Sequence, residues 1–168
     1  MDPGLENAAY YNPGNFTFPS SAHIVQVEVN KDTGEIEIQK YIAIEDCGNV
    51  INPMVVEGQI VGGIAQGIGQ ALYEHGIYDD EGQLVTGSML DYTMPRADNF
   101  PMINSDRIET PSPSNSLGVK GVGEMGSISS PPAVVNAVVD ALSDYDVKHI
   151  DMPLTSEKIW NIIQANGG

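Results

Sequence analysis

The strongest constraint on the fold is a run of apolar residues in the last third of the chain. Residues 133–142 are almost wholly apolar, and two prolines, Pro131 and Pro132, come directly before them. A helix that is apolar on nearly all sides is stable only when other elements cover it. Proline suits the first helical turn, where Ser129 or Ser130 can serve as the N-cap. We therefore expect a buried helix that begins at these prolines.

The segment that leads into this helix, Ser116 to Pro132, is rich in glycine and serine. Glu124 is the only acidic residue between Glu109 and Asp140, in a chain that holds 23 Asp and Glu residues. Glycines allow a backbone to approach a partner closely, and a single placed carboxylate can transfer protons. Glu124 is therefore a candidate acid or base near the electropositive N-terminus of the buried helix.

The N-terminal part of the chain predicts an arm followed by a β-hairpin. Residues 1–21 mix aromatic side chains with Pro, Gly and Asn, a composition typical of irregular segments. This arm either packs on its own domain or was once a linker in a longer chain. Residues 23–29 and 35–44 alternate apolar and polar side chains around the turn 30–34, which predicts two antiparallel strands with one wet face. We expect one domain from residue 22 to residue 168.

A second helix is predicted from Pro53 to Glu74. Its apolar stripe repeats every four residues: Val56, Ile60, Ile64, Ile68 and Leu72. The opposite side carries glutamines and glycines: Gln59, Gly62, Gly63, Gln66, Gly67, Gly69 and Gln70. Each glycine inside a helix costs about 1 kcal/mol relative to alanine, so these glycines need a reason. Either they allow close helix packing, or they form a thin face against which a polar ligand lies and hydrogen-bonds to the glutamine amides.

The remaining segments complete an α+β prediction. Residues 102–109 and 147–150 are predicted strands, and residues 155–164 are a predicted amphipathic helix that Thr155 caps and Trp160 anchors. The expected fold is a mixed sheet with an antiparallel N-terminal hairpin. The glycine-rich helix, the buried apolar helix and the C-terminal amphipathic helix are expected to pack on it.

Composition excludes several classes of function. The formal net charge is −16 with only seven Lys and Arg residues, so the chain lacks the basic stripe that binds nucleic acid or anionic membranes. Cys47 is the single cysteine, which fits a reducing compartment, and no segment resembles a signal peptide or a membrane span. We expect a cytoplasmic protein. The three histidines are far apart, and the acidic turn 79–82 of a predicted hairpin, residues 76–85, lacks the EF-hand spacing, so no metal ligands are expected.

A glycine pattern in the loop raises a nucleotide-binding alternative. Residues 121–126 match Gly-x-Gly-x-x-Gly. The Rossmann fingerprint, however, follows a strand directly and opens a helix with its last glycine. Here a Ser- and Pro-rich segment comes first, and the helix is expected only at Pro131. A Rossmann domain is therefore not expected.

Several longer motifs, in order, resemble one family. They are Asp46 to Pro53, Val56 to Gln59, Ala65 to Glu74, Asp91 to Asp98 and Gly118 to Glu124. Together they closely resemble the C-terminal part of the large, molybdenum-binding subunit of the xanthine oxidase family. The carbon monoxide dehydrogenase and aldehyde dehydrogenase-like large chains are the most similar in character. The resemblance covers nearly the whole chain.

The resemblance implies a molybdenum hydroxylase, an oxidoreductase that oxidises an aldehyde, an N-heterocycle or CO with oxygen derived from water. Its cofactor would be molybdenum–molybdopterin, shared with the upstream part of the large subunit. Electrons would leave through iron–sulfur (Fe-S) clusters on a small subunit to FAD on a medium subunit. By motif match, Glu124 would be the general base, and Gln66, with Gly67, would contact the pterin. The loop backbone near the metal would come from Lys120, Gly121, Val122 and Gly123.

The chain departs from the family in length, because the family's large chain is several times longer. It is either one piece of a split gene or an isolated C-terminal domain. Half a pocket binds a cofactor weakly, because affinity comes from groups that converge from several segments. We therefore expect the isolated chain to be inactive. The alternative is a cofactor-free relic or interaction module that keeps the same fold.

Overall fold

The computed structural model describes residues 4–5 and 7–167. Its elements, in chain order, are β1 (Ser20–Val29), β2 (Ile36–Asp46), α1 (Pro53–Leu72), β3 (Ile103–Arg107), α2 (Met125–Ala141), a 3₁₀ turn (Ser143–Tyr145) and α3 (Ser156–Ala165). The predicted α+β class is confirmed. In the arm, residues 7–19 belong to no helix or strand, and residues 1–3 and 6 lie outside the described residues.

The sheet has three strands in the order β1-β2-β3. β1 and β2 form the predicted antiparallel hairpin, with Val29 opposite Ile36 and a bulge between Gln26 and Val27. β3 pairs with β2 in parallel, from Tyr41 opposite Ile103. The sheet is therefore mixed, and β2 lies in its centre.

α1 buries the predicted stripe. Its five apolar residues, Val56, Ile60, Ile64, Ile68 and Leu72, are all buried in the core. Asn52 caps the helix by accepting hydrogen bonds from the backbone N–H groups of Met54, at 3.1 Å, and Val55, at 3.3 Å. α2 packs against both α1 and β1, so it lies at the centre of the domain.

The predicted start of α2 was wrong. The helix begins at Met125, so Pro131 and Pro132 lie inside it and Ser130 is a buried helical residue, not a cap. Each proline removes one backbone hydrogen bond, which usually ends a helix. Here the turns before the prolines are stabilised by packing, because Met125 and Gly126 are buried. Tertiary contact thus overrides the local preference.

The C-terminal segment differs from the prediction in two places. Residues 147–150 form no strand; Ile150 is instead buried in the core through its side chain. α3 is capped by Thr155 as predicted, which accepts from the backbone N–H of Lys158 at 3.3 Å. Its anchors are the buried Ile159 and Ile163, whereas Trp160 stays 40% exposed.

The segment between α1 and β3 is mostly irregular. Tyr78 and Leu84 form an antiparallel bridge in the predicted hairpin, and residues 88–92 form a turn with a bend on either side. Among the described helices, none combines the length and the apolar character needed to cross a membrane.

Candidate functional site

Glu124 occupies the N-cap position of α2. The residue is exposed, and within the described chain its carboxylate makes no capping hydrogen bond to α2. Its backbone carbonyl instead accepts hydrogen bonds from the N–H of Ile128 and the hydroxyl of Ser127, both at 3.0 Å. An acid at a helix N-terminus is stabilised by the helix dipole. The predicted candidate acid or base is thus held by its backbone while its carboxylate stays accessible.

The start of α2 lies directly on α1. A Cβ added at Gly126 would come within 2.5 Å of the Ile60 carbonyl oxygen and 2.8 Å of the Ile64 amide nitrogen. One added at Gly123 would meet the Gln59 amide nitrogen at 3.7 Å. The structure therefore brings the Glu124 loop next to the glutamine-bearing side of α1.

Gln66 lies on this same side of α1. It is exposed, and two helical turns separate it from Gln59, a rise of about 10 Å. Gly62, between the two, is also exposed, and a Cβ there would meet no heavy atom within 4 Å. We call Gln59, Gly62 and Gln66 the amide face of α1. It is an open surface with two hydrogen-bonding amides.

The α1 glycines divide between the two explanations that the sequence left open. Gly63 and Gly67 allow close helix packing, because a Cβ at Gly63 would lie 3.0 Å from the Ser127 nitrogen and one at Gly67 would lie 2.8 Å from Pro131 Cδ. Gly62 has the open space that a ligand face requires.

The loop before Glu124 is attached to the segment that follows β2. The Lys120 ammonium lies 3.0 Å from Asp46 Oδ2, and both side chains are largely buried, 11% and 12% exposed. The Lys120 backbone N–H donates to the Cys47 carbonyl at 2.8 Å. Gly48 and Val119 form an isolated antiparallel bridge. Two of the motifs that carry the family resemblance therefore meet in space, and the Lys120 charge pairs with Asp46.

Asp46 receives several donors at once. Its Oδ1 accepts from the backbone N–H of Gly48 at 2.9 Å and of Thr110 at 3.1 Å, while Oδ2 faces Lys120. Burial by itself would raise the pKa of Asp46, but the hydrogen bonds from Gly48, Lys120 and Thr110 outweigh it and hold the pKa well below its usual range. Asp46 is thus a firmly ionised anchor.

The residues between Lys120 and Glu124 are more open. Gly121 and Gly123 are exposed, whereas Val122 is partly buried against the core. A Cβ at Gly121 would meet nothing within 4 Å. The backbone here can be approached by a ligand, as the glycine content predicted.

The Gly-x-Gly-x-x-Gly pattern needs one correction. Because α2 begins at Met125, the last glycine, Gly126, does lie in the first helical turn. The segment before the pattern contributes only the isolated Gly48–Val119 bridge and no strand of the described sheet. Gly126 serves the contact with α1.

Sequence reasoning named Gln59 only as one of the α1 glutamines, assigned no role to Asp46, and missed a buried polar cluster beneath α2. The His23 ring lies 2.8 Å from the Tyr41 hydroxyl through Nδ1 and 2.8 Å from Glu45 Oε1 through Nε2. Burial raises the pKa of Tyr41. The available signal was strand alternation, which places Glu45 on the buried face of β2 with Tyr41. Among the described residues, no three His, Cys, Asp or Glu side chains converge as metal ligands.

Comparison with protein families gives one match. Residues 1–101 match the model of the molybdopterin cofactor-binding domain. This range includes Gln66 and Gly67 and ends before the Glu124 loop.

Individual relatives match almost the whole chain. The chain is 39% identical over 166 residues to the carbon monoxide dehydrogenase large chain of Hydrogenophaga pseudoflava, covering 99% of this chain and 21% of that protein. It is 45% identical over 159 residues to the nicotine 6-hydroxylase large subunit of Paenarthrobacter nicotinovorans, covering 95% and 20%. The crystal structure of quinoline 2-oxidoreductase from Pseudomonas putida 86 superposes with a TM-score of 0.90 at 44% identity, covering 99% and 22%. The chain therefore spans about a fifth of the length of the relatives that it matches.

Proposed function

The chain belongs to the molybdopterin cofactor-binding domain family, and from this premise we propose that it is the C-terminal cofactor-binding piece of a molybdenum hydroxylase large subunit. The proposed domain begins with β1 at Ser20, two residues before the predicted boundary, and the irregular residues 7–19 precede it as an arm. The assembled enzyme oxidises an aldehyde, an N-heterocycle or CO with oxygen derived from water. The relatives that support this assignment are a carbon monoxide dehydrogenase large chain, a nicotine 6-hydroxylase large subunit and a quinoline 2-oxidoreductase, of whose chains this chain covers 21%, 20% and 22%.

The observation that carries the proposal is the position of Glu124. It is an exposed carboxylate at a helix N-terminus, beside the amide face of α1, on a loop that lacks any other acid. A general base must be accessible to the proton that it removes and be held at a fixed place. Glu124 meets both conditions, because its backbone belongs to α2 and its side chain is free of the helix cap.

The surface beside Glu124 suits a large polar cofactor. Gly62 leaves open space on α1, and the exposed amides of Gln59 and Gln66 can each donate and accept hydrogen bonds. Gly121 and Gly123 expose backbone on the opposite loop. Molybdenum–molybdopterin, when bound, supplies the two-electron oxidation of the substrate. Gln66 binds the pterin, and Gly67 beside it keeps α1 close to α2.

The residues of this chain then have separate tasks. Glu124 accepts, at a carboxylate oxygen, the proton of the water-derived hydroxyl that is transferred to the substrate. The backbone of Lys120, Gly121, Val122 and Gly123 would hold the loop side of the cofactor. The rest of the pocket comes from the upstream part of the large subunit. Iron–sulfur clusters on a small subunit and FAD on a medium subunit accept the electrons.

The test is Glu124→Gln in the enzyme assembled with the rest of its large subunit and its partner subunits. Glutamine keeps the size and a hydrogen-bonding oxygen but cannot take the proton, so single-turnover reduction by substrate should slow by about 10²–10⁴-fold. Molybdenum content should stay normal.

The matched control is Glu157→Gln, which removes an exposed acid from the first turn of α3. It should leave the rate unchanged. A Glu124→Gln enzyme that is reduced at the wild-type rate would rule out the base. An assembled wild-type enzyme without molybdenum would favour the cofactor-free module instead.

A further inference from the structure

Asp46 lies at the place where two segments distant in sequence meet. We propose that Asp46, through its ion pair with Lys120, is the positioning residue that fixes the loop carrying Glu124. The inference rests on the proposed function, in which Glu124 is the general base. It adds a residue to which neither the family match nor the relatives' descriptions give a role.

The first step is the attachment itself. The Lys120 ammonium and the Asp46 carboxylate are 3.0 Å apart and form a charge-assisted hydrogen bond. Both side chains are about nine-tenths buried. Removing one partner leaves the other charge buried without compensation, which is more costly than the loss of an exposed pair. Asp46 cannot move to follow a displaced Lys120, because Gly48 and Thr110 also donate to it.

The second step is the backbone around the pair. Asn49 donates from its backbone N–H to the Gly118 carbonyl at 3.0 Å, and its side-chain amide donates to the Leu117 carbonyl at 2.7 Å. Gly48 and Gly118 both have φ of +67°, a left-handed conformation that lets the two backbones touch. A Cβ at Gly118 would lie 2.7 Å from the Asn49 amide nitrogen. The contact between the Gly48 and Gly118 backbones therefore requires glycine at both positions.

The third step connects this attachment with Glu124. Beyond Lys120, Gly121 and Gly123 are exposed, and of the residues between Lys120 and Met125 only Val122 packs partly against the core. The described chain is fully buried again at Met125. The Glu124 loop is thus fixed at two ends, by the Asp46–Lys120 pair and by the start of α2. Releasing the first end lets the glycine segment move, and misplacement of a general base by a fraction of its hydrogen-bonding distance slows proton transfer.

The experiment uses Asp46→Asn, Lys120→Met and the double variant, with amide hydrogen exchange on the 168-residue chain as its first readout. Each single variant should raise exchange of the hydrogen-bonded loop amides of Gly118, Val119 and Lys120 by about 10–100-fold, the range expected for one hydrogen bond to a charged group. Loop exchange in the double variant should be only slightly faster than in either single variant, because each single change already removes the same ion pair. Lys120→Arg keeps the charge and should restore most of the protection.

The control for general destabilisation is Ile163→Val, a change in the buried face of α3. It should raise exchange in α1 as global stability falls, without a selective effect on the loop. A purely structural role for Asp46 predicts the same pattern as Ile163→Val. Unchanged loop exchange in both Asp46→Asn and Lys120→Met would overturn the proposal, whatever Glu124 does.

The second readout is single-turnover reduction in the assembled enzyme. Lys120→Met should slow it about tenfold or more at normal molybdenum content, Lys120→Arg should recover it, and Ile163→Val should leave it unchanged. Suppose that Lys120→Met raises loop exchange but is reduced at the wild-type rate, while Glu124→Gln is reduced slowly. That result would overturn the positioning role of Asp46 alone. A wild-type rate in Glu124→Gln would overturn the proposed function, and the exchange data separate the two failures.

Discussion

Gln66 is exposed on the amide face of α1, so its side chain can be removed without opening the core. In the assembled enzyme, Gln66→Ala should weaken retention of the cofactor, since the loss of one hydrogen bond to a buried polar group costs about 1–3 kcal/mol. The measurement is molybdenum occupancy after dilution and gel filtration, with melting temperature as the check on the fold. Gln164→Ala, on the exposed side of α3, is the matched control. Equal occupancy in both variants would argue against a pterin contact.

Asp46 makes stability depend on pH in a direction that can be worked out. Its pKa is lower in the folded chain than in the unfolded chain, so its ionised form stabilises the native state. This contribution is complete above the unfolded-state pKa of about 3.9 and is lost as the pH falls through the lower folded-state pKa. Asp46→Asn should therefore lower the free energy of unfolding by about 1–3 kcal/mol at neutral pH.

The difference between wild type and Asp46→Asn should then shrink as the pH falls below about 4. Urea denaturation followed by circular dichroism, at neutral pH and in steps into acid, measures it. Asp32→Asn, in the exposed hairpin turn, should show no such dependence. A difference that grows in acid would contradict the assigned direction of the shift.

Candidate roles could be assigned from the sequence only where the residue type suggests the chemistry. Glu124 was singled out because it is the single acid of a glycine loop, and the structure leaves it exposed at a helix N-terminus. Its role as a base stays a prediction. The pairing of Asp46 with Lys120 joins positions 74 residues apart. Spacing and periodicity report only near neighbours along the chain, so a contact of this kind has no local signal.

At the scale of elements, the packing of α1 on α2 depends on Gly126. Its added Cβ would meet backbone atoms of Ile60 and Ile64, which cannot move aside as a flexible side chain could. Gly126→Ala should therefore destabilise the chain by about 1–3 kcal/mol, as overpacking does, although alanine is the better helix former. Thermal or urea unfolding gives the difference.

Gly62→Ala is the matched change on the open side of α1. With no heavy atom within 4 Å of the new Cβ, it should leave stability unchanged or raise it by up to about 1 kcal/mol. In the assembled enzyme the same change should lower cofactor retention if the amide face binds the pterin. Similar destabilisation by both substitutions would show that the helices are not packed as described.

Most of the helices and strands were predicted correctly from the sequence, and the two wrong predictions have the same cause. The apolar stripe of α1 and the alternation of β1 and β2 report burial directly, and both predictions are confirmed. The start of α2 and the strand at residues 147–150 were wrong, because both rested on local preference alone. In each place the contact with the core decides the conformation: Gly126 on α1, and Ile150 within the core.

At the scale of the whole molecule, the exposed aromatic side chains of the arm indicate that the domain associates with further protein. Several aromatic side chains of the arm are exposed, among them Tyr10 at 100% and Phe16 at 81%. Nearly all of this chain, 99%, matches a carbon monoxide dehydrogenase large chain, but the match covers only 21% of that protein. The exposed aromatic residues of the arm lie close together in sequence, at positions 10, 11, 16 and 18, and clustered exposed apolar side chains mark surfaces that other protein covers. The arm is therefore expected to pack on the remainder of the large subunit.

The isolated chain should consequently fold without working as an enzyme. Its core is continuous from the sheet through α2 to α1 and α3, so a cooperative thermal transition is expected by circular dichroism. The candidate site, however, offers the cofactor one helix face and one loop, and binding needs groups that converge from several segments. The purified chain should contain no stoichiometric molybdenum and should not reduce a dye with aldehyde, N-heterocycle or CO as substrate. Co-production with the remainder of the large subunit should restore molybdenum binding, and the Gln66→Ala variant should restore less. Stoichiometric molybdenum with turnover in the chain alone would show that the pocket is complete without its upstream part.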